Sequence, residues 1–167
     1  MNTKIKKIVV AALVTALICV ATMFIKIPSA FKGYLNLGDG VILVSGWILS
    51  PAYAFAASAL GSALADVFSG YVIYAPATFV IKGLMALVAF YGFRLFNKKR
   101  HNLTARIICG IIAEIIMVFG YFVFEGFLYG FAPSVVNIPA NGVQGAAGII
   151  IGILLIKFLQ KSKIRLD

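Results

Sequence analysis

Of the 167 residues, 62% are hydrophobic and only 12% charged. A domain dissolved in water carries about a quarter charged residues, so most of this surface is not built for water. The net charge of +10 does not point to nucleic acid, because Lys and Arg sit in clusters between apolar runs. The chain reads as a single all-α domain, 1–167, embedded in a lipid bilayer as a multi-pass protein of six transmembrane helices in one bundle.

Helix 1 is expected over about 5–25. Lys4, Lys6 and Lys7 precede an apolar run from Ile8 to Ile25 that is longer than the ~7–15 residues of a signal h-region, so it is read as a retained first span. Ala12 and Ala16 form a small-x-x-x-small pair, the spacing that lets helix backbones approach in lipid. Packing within this protein and docking onto another membrane subunit are both open for that face. Lys26 to Leu37 follows as a loop long enough to cover a pocket. Helix 2, about 38–49, falls short of the ~20 residues that a crossing needs, so it is tilted or continues an ordered part of the loop. Ser50-Pro51 makes a sharp turn.

Helix 3, about 52–69, is rich in Ala, Gly and Ser and carries a polar stripe of Ser58, Ser62, Asp66 and Ser69. Helix 4, about 75–96, has Pro76 in its first turn, with Thr78 and Lys82 on one face and Phe79 beside them. A soluble basic loop, 94–106, leads to helix 5, about 107–129. There Glu114, Val118, Tyr121, Glu125 and Tyr129 recur at helical spacing. Pro133 and Pro139 bracket a short connection. Helix 6, about 140–160, carries Asn137, Asn141 and Gln144 toward its start.

Twelve of the fifteen basic residues fall at the two termini and in the 94–106 loop. Six spans put those three segments on one side, and the positive-inside rule makes that side cytoplasmic. Asp39, Asp66, Lys82, Glu125, Tyr129, Asn141 and Gln144 then gather in the outer half of the membrane, while Glu114 lies nearer the cytoplasm.

Exposing one such charge to lipid costs about 2.5–3.5 kcal/mol, so these groups must face one another or water. One reading is a structural plug in which Asp66 pairs with Lys82 and the amides join helices. The other is an outward-opening pocket with aromatic walls (Tyr34, Phe79, Tyr121, Tyr129) and convergent polar groups (Asn36, Asp39, Lys82, Glu125, Asn141, Gln144), the usual make-up of a small-molecule site. The number of polar side chains favours the pocket.

No phosphate-binding G-x-x-x-x-G-K-[ST] loop is present, and no Ser/His/Asp set suggests catalysis. Cys19 and Cys109 lie in apolar runs as small hydrophobes, His101 stands alone, and no spacing suggests a metal. The chain is read as neither an enzyme nor a cofactor protein. Six spans without an evident inverted repeat are few for a self-sufficient transporter, so a binding protein driven by partners fits better.

Against that background, the Ala12/Ala16 pair, YLNLGDG (34–40), GSALADVFSGY (61–71), YAPATFVIKG (74–83) and Asn141-x-x-Gln144-Gly145 resemble the substrate-binding S components of bacterial energy-coupling-factor (ECF) vitamin transporters. The likeness covers the whole chain and is similar to the branch for pyridoxine, hydroxymethylpyrimidine or pantothenate precursors. It implies capture of a vitamin from outside, then association with a transmembrane coupling subunit and two cytoplasmic ATPases. It also implies that Ala12 and Ala16 form the docking face and that Lys26–Leu37 is a lid. The outer cluster, formally −2 when ionised, suits a pyridoxine-like or hydroxymethylpyrimidine-like compound better than pantothenate. A membrane scaffold without a small ligand is the alternative of another class.

Overall fold

The computed structural model describes residues 3–24, 26–28, 34–96 and 102–162. Residues 29–33 of the expected lid and His101 lie outside the described residues, as do Lys98, Lys99, Arg100, Lys163 and Arg165.

Six main helices among the described residues form one bundle: α1 (Thr3–Phe24), α2 (Gly38–Ile48), α3 (Pro51–Phe68), α4 (Ala75–Phe96), α5 (Leu103–Tyr129) and, after a short α6 (Phe131–Ser134) and the 3-10 turn Val135–Asn137, α7 (Ile138–Lys161). Among the described residues, five segments are long and apolar enough to cross a membrane, and α2 is the shorter sixth helix. Large apolar side chains such as Leu13, Leu17, Phe119, Leu154 and Phe158 point outward, as a lipid-facing surface requires.

Eleven residues make α2 only about 17 Å long, roughly half of a ~30 Å hydrocarbon core. It survives at that length because it is enclosed: Gly38 to Gly46 are all buried, and the helix touches α1, α3, α4 and α7. Glycine permits the approach. A Cβ on Gly46 would stand 2.6 Å from the Ala86 carbonyl of α4, so the two backbones pack without a side chain between them. The apolar core, with Ile42, Leu43, Ala57, Met85 and Met117, sits around this central helix.

Helix ends follow local chemistry. Pro51 starts α3, where a missing N–H costs nothing. The Asn102 side chain caps α5 by accepting from the Ala105 N–H at 3.2 Å, so α5 begins about a turn earlier than the apolar pattern suggests. Gly130, with φ +94°, lets the chain turn from α5 into α6. The expected 26–37 loop contains an antiparallel hairpin, β1 (Lys26–Pro28) with β2 (Tyr34–Asn36), in the register Lys26↔Asn36, Ile27↔Leu35, Pro28↔Tyr34. It lies where α2 begins and α3 ends.

Candidate functional site

At the hairpin end of the bundle, α3, α4, α5, α7 and β2 converge on one polar space. Helical periodicity puts the contributors there: Tyr74, just before α4, and Thr78 and Lys82 within it follow one another at successive turns, and Glu114, Tyr121 and Glu125 share one face of α5. The walls are Tyr34, Tyr74 and Tyr121, with Asn36, Asn141 and Gln144 supplying amides and Asp66, Glu125 and Thr78 supplying oxygens. The open volume among them is about 30 Å³, room for water and less than a vitamin ring occupies.

Two layers are visible. In the lower one, Lys82 Nζ donates to Asp39 Oδ1 at 2.5 Å, and both side chains are almost wholly buried. Lys82 also lies 5.4 Å from the centre of the Tyr121 ring, a favourable cation–π position. Gln144 Nε2 donates to the other Asp39 oxygen at 2.6 Å. Because that carboxylate only accepts, the Gln144 amide is oriented, and its Oε1 takes the Asn36 N–H at 2.9 Å. Asn36 Oδ1 in turn accepts from the Gly38 N–H at 3.0 Å, fixing the step from β2 into α2.

In the upper layer, Tyr34 donates its hydroxyl to Asp66 Oδ1 at 2.7 Å, and Lys26 Nζ donates to Ser69 Oγ at 2.9 Å. The hairpin is thus tied to α3 on one side and to α7 on the other. Burial, then the Asp66 charge, push the Tyr34 phenol above its ordinary value and keep it a donor. Thr78 and Tyr121 pair through their hydroxyls at 3.0 Å. Asn137 Nδ2 donates to Glu125 Oε2 at 2.9 Å, and the Tyr74 hydroxyl reaches Glu125 Oε1 at 3.5 Å. Burial, with Tyr129 and Glu125 close by, raises the Tyr74 phenol as well.

Of the residues expected at a pocket, Tyr34, Asn36, Tyr121, Glu125, Asn141 and Gln144 line this space. Four others do not. Asp39 and Lys82 lie in the layer beneath, engaged with each other. Phe79, one residue and ~100° around α4 from Thr78, packs edge-on against Phe55 at 5.8 Å. Tyr129 reaches Tyr74 from the end of α5 without lining the space. The expected Asp66–Lys82 pair is corrected: the ion pair of Lys82 is with Asp39, because α2 enters the bundle between α4 and α7 and brings its carboxylate deeper than Asp66. Tyr74 and Thr78 line the space without being among the expected site residues. Their spacing from Lys82, four residues for Thr78 and eight for Tyr74, puts them on its helical face and is the signal that could have found them.

Glu114 is buried against α7, where a Cβ on Gly148 would meet both Glu114 Oε1 and Asp39 Cβ at 2.8 Å. Ala12 and Ala16 lie on the exposed side of α1, while Ala11 and Ile18 face inward. Among the described residues, no group of His, Cys, Asp and Glu could hold a metal ion.

The family model for the ECF-type riboflavin transporter S component matches residues 2–161. A protein from Pyrococcus woesei, described as an uncharacterized protein in a gap 3' region, is 36% identical over 136 residues, covering 81% of this chain and 88% of that protein. A solved S component of a bacterial ECF transporter superposes with a TM-score of 0.78 at 25% identity, over 97% of this chain and 99% of that one. The S component for biotin from an ECF-type ABC transporter shares the fold, with a TM-score of 0.74 at 18% identity, over 95% and 93%. The chain is therefore a membrane-embedded member of the ECF-type riboflavin transporter S component family, a vitamin transporter subunit and not an enzyme.

Proposed function

We propose that this chain captures a neutral, donor-rich heteroaromatic vitamin, riboflavin before others, at the hairpin-end pocket. The observation that carries this is the lining: three tyrosines, three amides and two carboxylates, with no Lys or Arg among the described residues that form it. Tyrosine faces suit a flat ring, and carboxylates and amide oxygens suit hydroxyl and N–H donors. Lys82 is already committed to Asp39, so a carboxylate-bearing ligand such as pantothenate would meet acids without a counter-charge. The family to which the chain belongs supports riboflavin within that class.

A second reading, a pyridoxine-like or hydroxymethylpyrimidine-like ligand, is favoured by the 30 Å³ of open space, since a smaller ring needs less movement of the walls. Either ligand requires the hairpin ties to give way on entry.

S components bind vitamins and work with a transmembrane coupling subunit and ATPases. For this chain, the excess of Lys and Arg at the termini and the 94–106 loop supports an inward position for them and an outward one for the hairpin. The exposed Ala12/Ala16 face of α1 offers the coupling subunit a close backbone approach.

A thermal-shift panel on detergent-solubilised protein tests the ligand class, since a ligand at a hundredfold its Kd adds about 2.7 kcal/mol. Riboflavin should stabilise most, with pyridoxine or hydroxymethylpyrimidine leading if the second reading holds. Stabilisation by pantothenate above all others would contradict the charge argument. Stabilisation by none would favour a scaffold without a small ligand.

A further inference from the structure

With Lys82 held by Asp39, Asp66 is left at the last turns of α3 with the hydroxyl of Tyr34 on Oδ1 at 2.7 Å. Its residue exposure is 4%, and Oδ2 is buried without a hydrogen-bond partner. Asp66 lines the polar space, so its carboxylate stands at a wall of the pocket. The Thr78 hydroxyl stands between Asp66 and Tyr121 on the same wall, 3.0 Å from the Tyr121 hydroxyl and in hydrogen-bonding reach of the Asp66 carboxylate. A buried carboxylate oxygen left without a donor carries its full desolvation penalty, and a buried native group of this kind calls for an explanation.

We propose that Asp66 is a ligand-contacting, specificity-determining carboxylate whose second oxygen accepts a hydroxyl or N–H donor from the vitamin. The proposal rests on the ligand-binding reading above and deepens it. One carboxylate then serves two partners: Oδ1 holds the hairpin through Tyr34, and Oδ2 holds the ligand. Retention of the ligand and closure of the hairpin are joined at one residue. A compound that lacks the donor leaves the oxygen unpaired, which is the situation in which a polar site discriminates most strongly.

The test measures affinities of riboflavin, 3-methylriboflavin (imide N–H blocked) and lumiflavin (hydroxyl chain removed) for the wild-type chain, Asp66→Asn and Tyr34→Phe. The wild type should prefer riboflavin to at least one analogue by about tenfold or more. Asp66→Asn should weaken riboflavin about 10- to 100-fold and level that preference. Tyr34→Phe should weaken all three alike through faster dissociation and leave the preference standing. Should Asp66→Asn fail to fold, Asp66→Ser carries the same comparison. Unchanged affinity ratios in the folded Asp66 variant overturn this proposal while leaving ligand binding intact. If the wild type binds no flavin, pyridoxine and its 3-O-methyl ether replace the set with the same criteria. Binding of neither vitamin overturns the functional reading and this proposal together.

Discussion

Lys82 Nζ and Asp39 Oδ1 stand 2.5 Å apart, with neither side chain more than 2% exposed. Removing one partner of such a pair strands the other charge, at a cost of about 3–5 kcal/mol, whereas removing both charges costs far less. Lys82→Met is therefore expected to lower the melting temperature in detergent sharply. The double variant Lys82→Met/Asp39→Asn should recover much of the loss, since the new amide still offers an oxygen to Gln144. A double variant no more stable than the single one would show that the pair is not the stabilising unit.

The hairpin's tie to α7 depends on an amide with a fixed orientation. Gln144→Glu places a carboxylate against Asp39 and removes the Nε2 donor that gave a 2.6 Å contact. Hydrogen exchange at the Asn36 amide should accelerate about 10- to 100-fold, the range of a lost hydrogen bond to or near a charged group. Unaltered protection there would mean that β1 pairing alone holds the strand.

Close packing of α7 against the acids gives a third expectation. Gly148→Ala would press a Cβ to 2.8 Å from Glu114 Oε1 and Asp39 Cβ and should cost about 1–3 kcal/mol. Gly142→Ala, with nothing within 4 Å of its Cβ, should be neutral or slightly stabilising. Equal melting temperatures for the two variants would contradict the packing described.

Much of this arrangement is legible in the sequence because lipid makes polar residues conspicuous. Asp39, Asp66, Lys82, Glu125 and Gln144 stand out against apolar runs, and the helix ends follow Pro, Gly and Asn within about a turn. What the pattern does not carry is the rotation and depth of one helix relative to another. Asp39 and Asp66 both fall in the outer half with Lys82, the sequence suggests Asp66 as its partner, and the insertion of the half-length α2 brings in Asp39 instead. Phe79 and Thr78 are sequence neighbours, yet ~100° of helix separates an edge-on contact with Phe55 from a pocket wall. The hairpin is hidden for another reason: three-residue strands hold too few residues to show an alternation.

The outward face of α1 yields a prediction about assembly. Ala12→Leu or Ala16→Leu adds bulk where the surface is exposed and should spare vitamin binding while lowering co-purification with the coupling subunit and ATPases. Assembly that survives both substitutions would place the docking face elsewhere on the bundle.

Quenching of riboflavin fluorescence by the purified chain, titrated to saturation, reaches the central claim most directly. Saturable quenching with one site per chain, lost in Tyr121→Ala and undisturbed by excess pantothenate, is the predicted result. Quenching that never saturates, or that persists unchanged in Tyr121→Ala, would contradict a vitamin held among the tyrosines, amides and carboxylates beneath the hairpin.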